Sequence, residues 1–367
     1  MSGTYPFCIG LELTWLPKKR GTKWQEFRDK EEAQKVAEEF NRFIRLDAHI
    51  GAAAVHYAIA PFKLFVAKAD TFRSLITTRD VPNTHEAWCI EINSYPLPAA
   101  DFFDKYSYTK TSNGKTRLEE TSLAAALESL YLIAKSLGLH PCVIRKTKDN
   151  TLLESPTGGG HLHVSTDFWL EGASYLASLY HFERAICLDF TNHPFIRWLF
   201  CQWMDDINSG TSVKYDLAKR IQKQSRPSCP KKIRISQSAA SYVAHDQALN
   251  CHSIKQRMSY VGKPIMPTYE FRFFDMPRSV KELQLQVKFL SKWVSYWTSI
   301  AGARKADSLG PDYTLTPAYY LRLTKDLDFA YKEISTWFNK IGLDFAEYKE
   351  LCWDRAYVRR MKYNRPK

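Results

Sequence analysis

At 367 residues, with 45% hydrophobic and 14% aromatic side chains, the chain has material for a large core and is not a disordered tract. Its formal charge of +13, from 52 basic against 39 acidic residues, suits a nucleotide, a nucleic acid or another polyanion as partner, although a soluble protein with a basic bias reads the same way. No run approaches the ~18 uncharged apolar residues of a membrane span, and MSGTYPFCIGLELTW lacks the basic start and apolar block of a secretion signal, so no membrane partner and a cytoplasmic location are expected. The eight cysteines (8, 89, 142, 187, 201, 229, 251 and 352) form no CxxC pair, which favours reduced thiols over a disulfide frame.

Residues 7–15, FCIGLELTW, are apolar, aromatic and β-branched with Glu12 embedded, and predict a strand. Residues 26–43 carry Phe27, Ala33, Val36, Ala37, Phe40 and Phe43 at helical spacing and predict an amphipathic helix. Residues 48–69 fit either class, with a strand possible after Pro61. Trp88 to Ile92 predicts a second strand, carrying Glu91 and closed by Asn93-Ser94-Tyr95-Pro96. Residues 99–117 are polar and predict a loop with a turn at Asn113-Gly114; 119–137 predict a helix, acidic at its start and stopped by Gly138.

A strand is expected at 140–146, and then Gly158-Gly159-Gly160-His161-Leu162-His163-Val164. Residues i and i+2 of a strand share a face, so the two histidines should point into one space. Two helices are predicted at 171–189 and 194–207, a linker at 208–230 and a short basic strand at 231–236. Residues 267–277, PTYEFRFFDMP, predict a strand with Glu270 and Arg272 on one side, followed by a helix at 279–300 and a helical remainder. Long helices between strands, without βαβ regularity, indicate an α+β chain. Basic clusters stand at Lys18-Lys19-Arg20, at Lys231-Lys232 with Arg234, and in an aromatic tail at 355–367.

Glu12, Glu91, His161 with His163, and Glu270 each interrupt an apolar strand. Charges are rarely buried unpaired. Any one of these groups could sit on a solvated face, and Glu270 could simply pair with Arg272. Convergence on one face would instead make a seat for a hard cation such as magnesium or manganese.

Gly10-Leu11-Glu12, Glu91 before Asn93-Ser94-Tyr95-Pro96, Gly159-Gly160-His161-Leu162-His163 and Glu270-Phe271-Arg272 follow an order that resembles the glutamine synthetase, glutamate–cysteine ligase and amidoligase superfamily. The likeness runs through about residue 275 and is nearest to the carboxylate–amine ligases common in bacteria and phages. It implies a curved, mostly antiparallel sheet flanked by helices, with a catalytic domain over 1–278 and a helical C-terminal region over 279–367. It also implies ATP and Mg or Mn as cofactors. Glu12, His161 and Glu270 would hold the metal at the phosphates, and Glu91 the metal nearer the acid substrate. His163 and Arg257 would lie at the nucleotide phosphates, and Arg272 beside the transferring phosphoryl group. The implied activity is an ADP-forming C–N ligase that joins a carboxylate and an amine, either of them free or borne on a peptide or other macromolecule, through an acyl phosphate.

Thr14 stands where the superfamily has a second glutamate, so the second metal site is either weakened or completed from elsewhere, with Glu86 and then Asp80 as candidates. The rival readings are an ATP-dependent phosphotransferase, a metal-dependent hydrolase, and a catalytically altered protein that binds nucleotide or nucleic acid through its basic surface.

Overall fold

A computed structural model describes residues 7–17, 27–78, 81–141, 160–165, 249–250, 268–271, 274, 276–302, 322 and 326–348. By internal contacts the chain divides into two units, Met1–Val164 with Phe274–Val287, and Ser165–Phe273 with Lys288–Lys367. The described residues mix helices with antiparallel strands, as an α+β chain should.

In the first unit, β1 (Cys8–Pro17) alternates strictly at its start. Ile9, Leu11 and Leu13 are buried in the core, while Gly10 and Glu12 are half-buried on the other face. The first helix, α1 (Lys30–Leu46), starts four residues inside the predicted range because Asp29 caps it, accepting from Glu32 N at 2.8 Å. Its Ala33, Ala37, Phe40 and Ile44 form one fully buried stripe. The ambiguous stretch resolves into α2 (Ala48–His56), capped by Asp47, then α3 (Pro61–Leu64) and a long strand β2 (Phe65–Thr78). β2 pairs with β3 (Val81–Ser94), and β4 (Leu97–Pro98) returns to β1. Asn41 of α1 donates to Ala67 O at 2.7 Å and accepts from Ala67 N at 2.9 Å, satisfying the β2 backbone on its side away from β3.

The predicted loop at 99–117 is instead largely a hairpin, β5 (Lys105–Ser112) and β6 (Lys115–Ser122). Its turn is Asn113-Gly114, with φ of 51° and 71°, the left-handed pair that a two-residue hairpin turn demands. The predicted helix therefore begins later. Glu119 and Glu120 belong to β6, and Ser122 caps α4 (Leu123–Ser136) by accepting from Ala125 N at 3.2 Å. Gly138, at φ 71°, stops it as expected.

The strands β7 (Leu139–Pro141) and β8 (Gly160–Ser165) both pair with β1, giving the order β2-β3-β1-β8 with every pairing antiparallel. Trp15 packs edge-on to Tyr131 of α4 at 4.8 Å, and the Tyr131 hydroxyl donates to Pro277 O at 2.7 Å. Gly160 N donates to Phe274 O at 3.2 Å, so the chain after residue 273 is tied to β8.

The second unit shows β9 (Leu249–Asn250) paired with β10 (Thr268–Phe271). The helix α5 (Val280–Gly302) begins in the first unit and continues into the second, where α6 (Leu327–Lys340) and α7 (Ala346–Tyr348) follow. Phe289 and Trp293 of α5 meet Trp337 of α6, and Phe338 of α6 meets Phe345 and Tyr348, making an aromatic core. Lys288 pairs with Glu347 at its edge. The predicted elements at 142–146, 171–189, 194–207 and 231–236, the linker and all three basic clusters lie outside the described residues.

Candidate cation site on the sheet

The pairing registers turn separate motifs into one surface. β1 sets Glu12 opposite Asn93 of β3 and His161 of β8, Thr14 opposite Glu91, and Gly10 opposite His163. β2 sets Lys68 opposite Glu91. Directly paired residues share a face. One side of the sheet therefore carries a row Lys68–Glu91–Thr14 beside a row Asn93–Glu12–His161, with His163 next along β8. Opposite them Leu11 pairs with Leu162 and Ile9 with Val164, and all four are buried. That apolar underside fixes which way β8 faces, since a one-residue slip would bury both imidazoles in the core.

Glu12 is the centre of the arrangement. Its Oε1 lies 2.7 Å from His161 Nδ1, and its Oε2 lies 3.3 Å from His163 Nε2. His161 is buried and His163 half-buried. A side chain at Gly10 would place its Cβ 3.4 Å from His163 Cβ, so the glycine leaves that flank of the ring open. Burial opposes the charge on Glu12, but the two imidazole hydrogen bonds and their electrostatic pull outweigh it and hold the carboxyl far below the usual range. The two histidines thus share one carboxylate, each taking a different oxygen.

Ligands at right angles around a cation, with bonds of ~2.1 Å, stand about 3 Å apart. The 2.7 Å and 3.3 Å contacts of Glu12 both stand near that separation and both at hydrogen-bond distance; what differs is access, His161 being buried and His163 half-buried. A carboxylate and an imidazole suit manganese and tolerate magnesium.

Glu91 is buried on the neighbouring row, and its Oε1 accepts from Lys68 Nζ at 2.7 Å and from Asn93 Nδ2 at 3.1 Å. Lys68 also reaches Asp70 Oδ2 at 2.8 Å. Burial, then the charge of Glu12, pushes the Glu91 carboxyl up to about 7 against the pull of Lys68. Burial would lower the Lys68 ammonium, but its bonds to Asp70 and Glu91 raise it above its ordinary value.

Glu12, Glu91, His161 and His163 are therefore brought onto one face. Glu270 is buried in the second unit, on β10 opposite Asn250. Arg257, Arg272 and Asp80 lie outside the described residues, and Glu86 stands in β3 opposite Arg73. Cys89 is buried, in keeping with a core role, and Cys8 is half-buried. Lys68, Asp70 and Asn93 are site residues that motif reading misses. The signal for the first two was the alternation of Val66, Lys68 and Asp70 with Phe65, Ala67 and Ala69. No described helix is long and apolar enough to cross a membrane. No protein-family model matches the chain, and neither a curated protein nor a solved structure does.

Proposed function

We propose that the chain is an ATP-dependent carboxylate–amine ligase that uses the polar face of its sheet to hold a divalent cation and the nucleotide phosphates. The observation that carries this reading is Glu12, a carboxylate set between two imidazoles on an otherwise apolar strand. The sequence motifs give His161 to the metal and His163 to the phosphates; the exposure of the two rings favours the reverse, with Mg or Mn on Glu12 and on His163, the more exposed ring, while the buried His161 orients Glu12 through its Nδ1 contact. Glu270 is assigned to the same cation, and Arg257 and Arg272 to the phosphates, on the strength of their motifs in the sequence. The cation would neutralise phosphate charge.

Phosphoryl transfer asks mainly for positioning and charge neutralisation, so no serine or cysteine nucleophile is required. The acid substrate's oxygen attacks the γ-phosphorus and ADP leaves; the amine then attacks the acyl carbon, phosphate leaves and the amine loses a proton. Arginine donors suit the charge that builds on the phosphoryl oxygens.

The test is product release from ATP and Mg2+ with two separate pools, one of N-acetylated amino acids and peptides as acids and one of polyamines and C-amidated amino acids as amines. ADP and phosphate should appear only when an acid and an amine are both present. Formation of AMP, or ADP release that needs no amine, would overturn ligation.

A further inference from the structure

The face that holds Glu12 does not repeat itself at Glu91. The row beside Glu91 has Thr14 on one side and Lys68 on the other, where a second divalent cation would need further carboxylate oxygens. A threonine hydroxyl is a poor substitute for a carboxylate, and a lysine ammonium is no ligand at all, having three donors and no acceptor. Lys68 Nζ lies 2.7 Å from Glu91 Oε1 and 2.8 Å from Asp70 Oδ2, so it answers both carboxylates of this corner. Asn93 adds a second donor to the same Glu91 oxygen at 3.1 Å. A divalent ion on Glu91 Oε1 would have to displace the ammonium, and one on the other carboxylate oxygen would stand close enough to Lys68 for the two positive charges to repel at short range.

We propose that the Lys68 ammonium occupies the place of a second divalent cation beside Glu91, so that this sheet face binds one divalent cation, at Glu12, and carries its second positive charge covalently. The proposal rests on the cation reading of Glu12 given above. Lys68 is accordingly a positioning residue. It holds Glu91 and Asp70 in place and presents a fixed charge to an anionic substrate group, and it is half-exposed, so a substrate can reach it.

Counting Mn2+ bound to the full-length protein, by the electron paramagnetic resonance signal of the unbound ion, tests this without any turnover. Wild type should bind one ion per chain, and so should Lys68→Arg, which keeps the charge. Lys68→Gln should gain a second, weaker site, and Lys68→Gln with Thr14→Glu should bind two ions tightly. Two ions in wild type would overturn the Lys68 assignment and leave Glu12 as a cation seat. No ion in wild type would instead overturn the Glu12 reading and the present proposal with it. A folded double variant that still binds one ion would also contradict the assignment; folding is checked by circular dichroism, and the wild-type count decides the matter even if that variant does not fold.

Discussion

Two carboxylates on directly paired strands, Glu12 on β1 and Glu91 on β3, meet their surroundings in opposite ways. Glu12 is half-buried between two imidazoles that hold it ionised. Glu91 is buried beside that negative charge, and its carboxyl is pushed up to about 7 although an ammonium stands 2.7 Å away. The same strand pairing produces both results. What differs is the partner that the register brings alongside: neutral-capable rings that can also ligate a metal, or a lysine that cannot. The residue one strand away thus decides whether a carboxylate on this sheet face is shared between imidazoles or locked in an ion pair.

The contrast can be broken most severely at its centre. Glu12→Gln should abolish tight Mn2+ binding in a titration that wild type passes, whereas Glu91→Gln should leave the affinity of that first ion within a few-fold. Equal losses in both variants would mean that the two carboxylates serve one site. Next in size, His161→Gln should weaken Mn2+ by about 10–100-fold, the usual cost of removing a group that orients a ligand; an effect as complete as that of Glu12→Gln would make His161 a direct ligand.

The third effect is on stability and has a defined sign. An acid whose folded value is raised from 4.5 to about 7 binds its proton more tightly in the native state than in the unfolded one. Stability should therefore fall as pH rises from about 4.5 to about 7 and level off above that, through this group. Thermal denaturation between pH 5 and 8 without divalent ions should show that decline in wild type and less of it in Glu91→Gln; equal slopes would remove the account of Glu91. The smallest effect concerns the strand that carries Lys68. Asn41→Ala removes two hydrogen bonds to Ala67 and should cost about 1–3 kcal/mol in denaturant unfolding, with Mn2+ affinity unchanged.

Much of this surface was legible in the chain. The embedded Glu12, the His161-Leu162-His163 spacing and Glu91 each lie in a strand, as the apolar runs around them indicated. Gly138 stopped a helix as its position required. The hairpin at 105–122 was harder, because its polar strands present no apolar face and their only strong signal was Asn113-Gly114; Glu119-Glu120 then imitated the acidic first turn of a helix that Ser122 actually begins. For Lys68 the alternation of its strand showed its face but not its partner. Its meaning depends on pairing with a residue 23 positions away, and registers over such distances are set by how β2, β3 and α1 pack together. Nor did spacing alone show that both histidines would reach Glu12, since that depends on β1 pairing with β8, with Glu12 and His161 149 positions apart.

The central claim is that Glu12 and the β8 histidines form the cation seat. Titrating the labelled protein with Mn2+ and following its histidine ring signals by nuclear magnetic resonance tests it most directly, because the paramagnetic ion broadens only nearby nuclei. The signals of His161 and His163 should vanish first, at ion concentrations that leave those of His49, His56 and His140 sharp, and this selectivity should be lost in Glu12→Gln. Selective broadening of other histidines, or of none, would contradict the account.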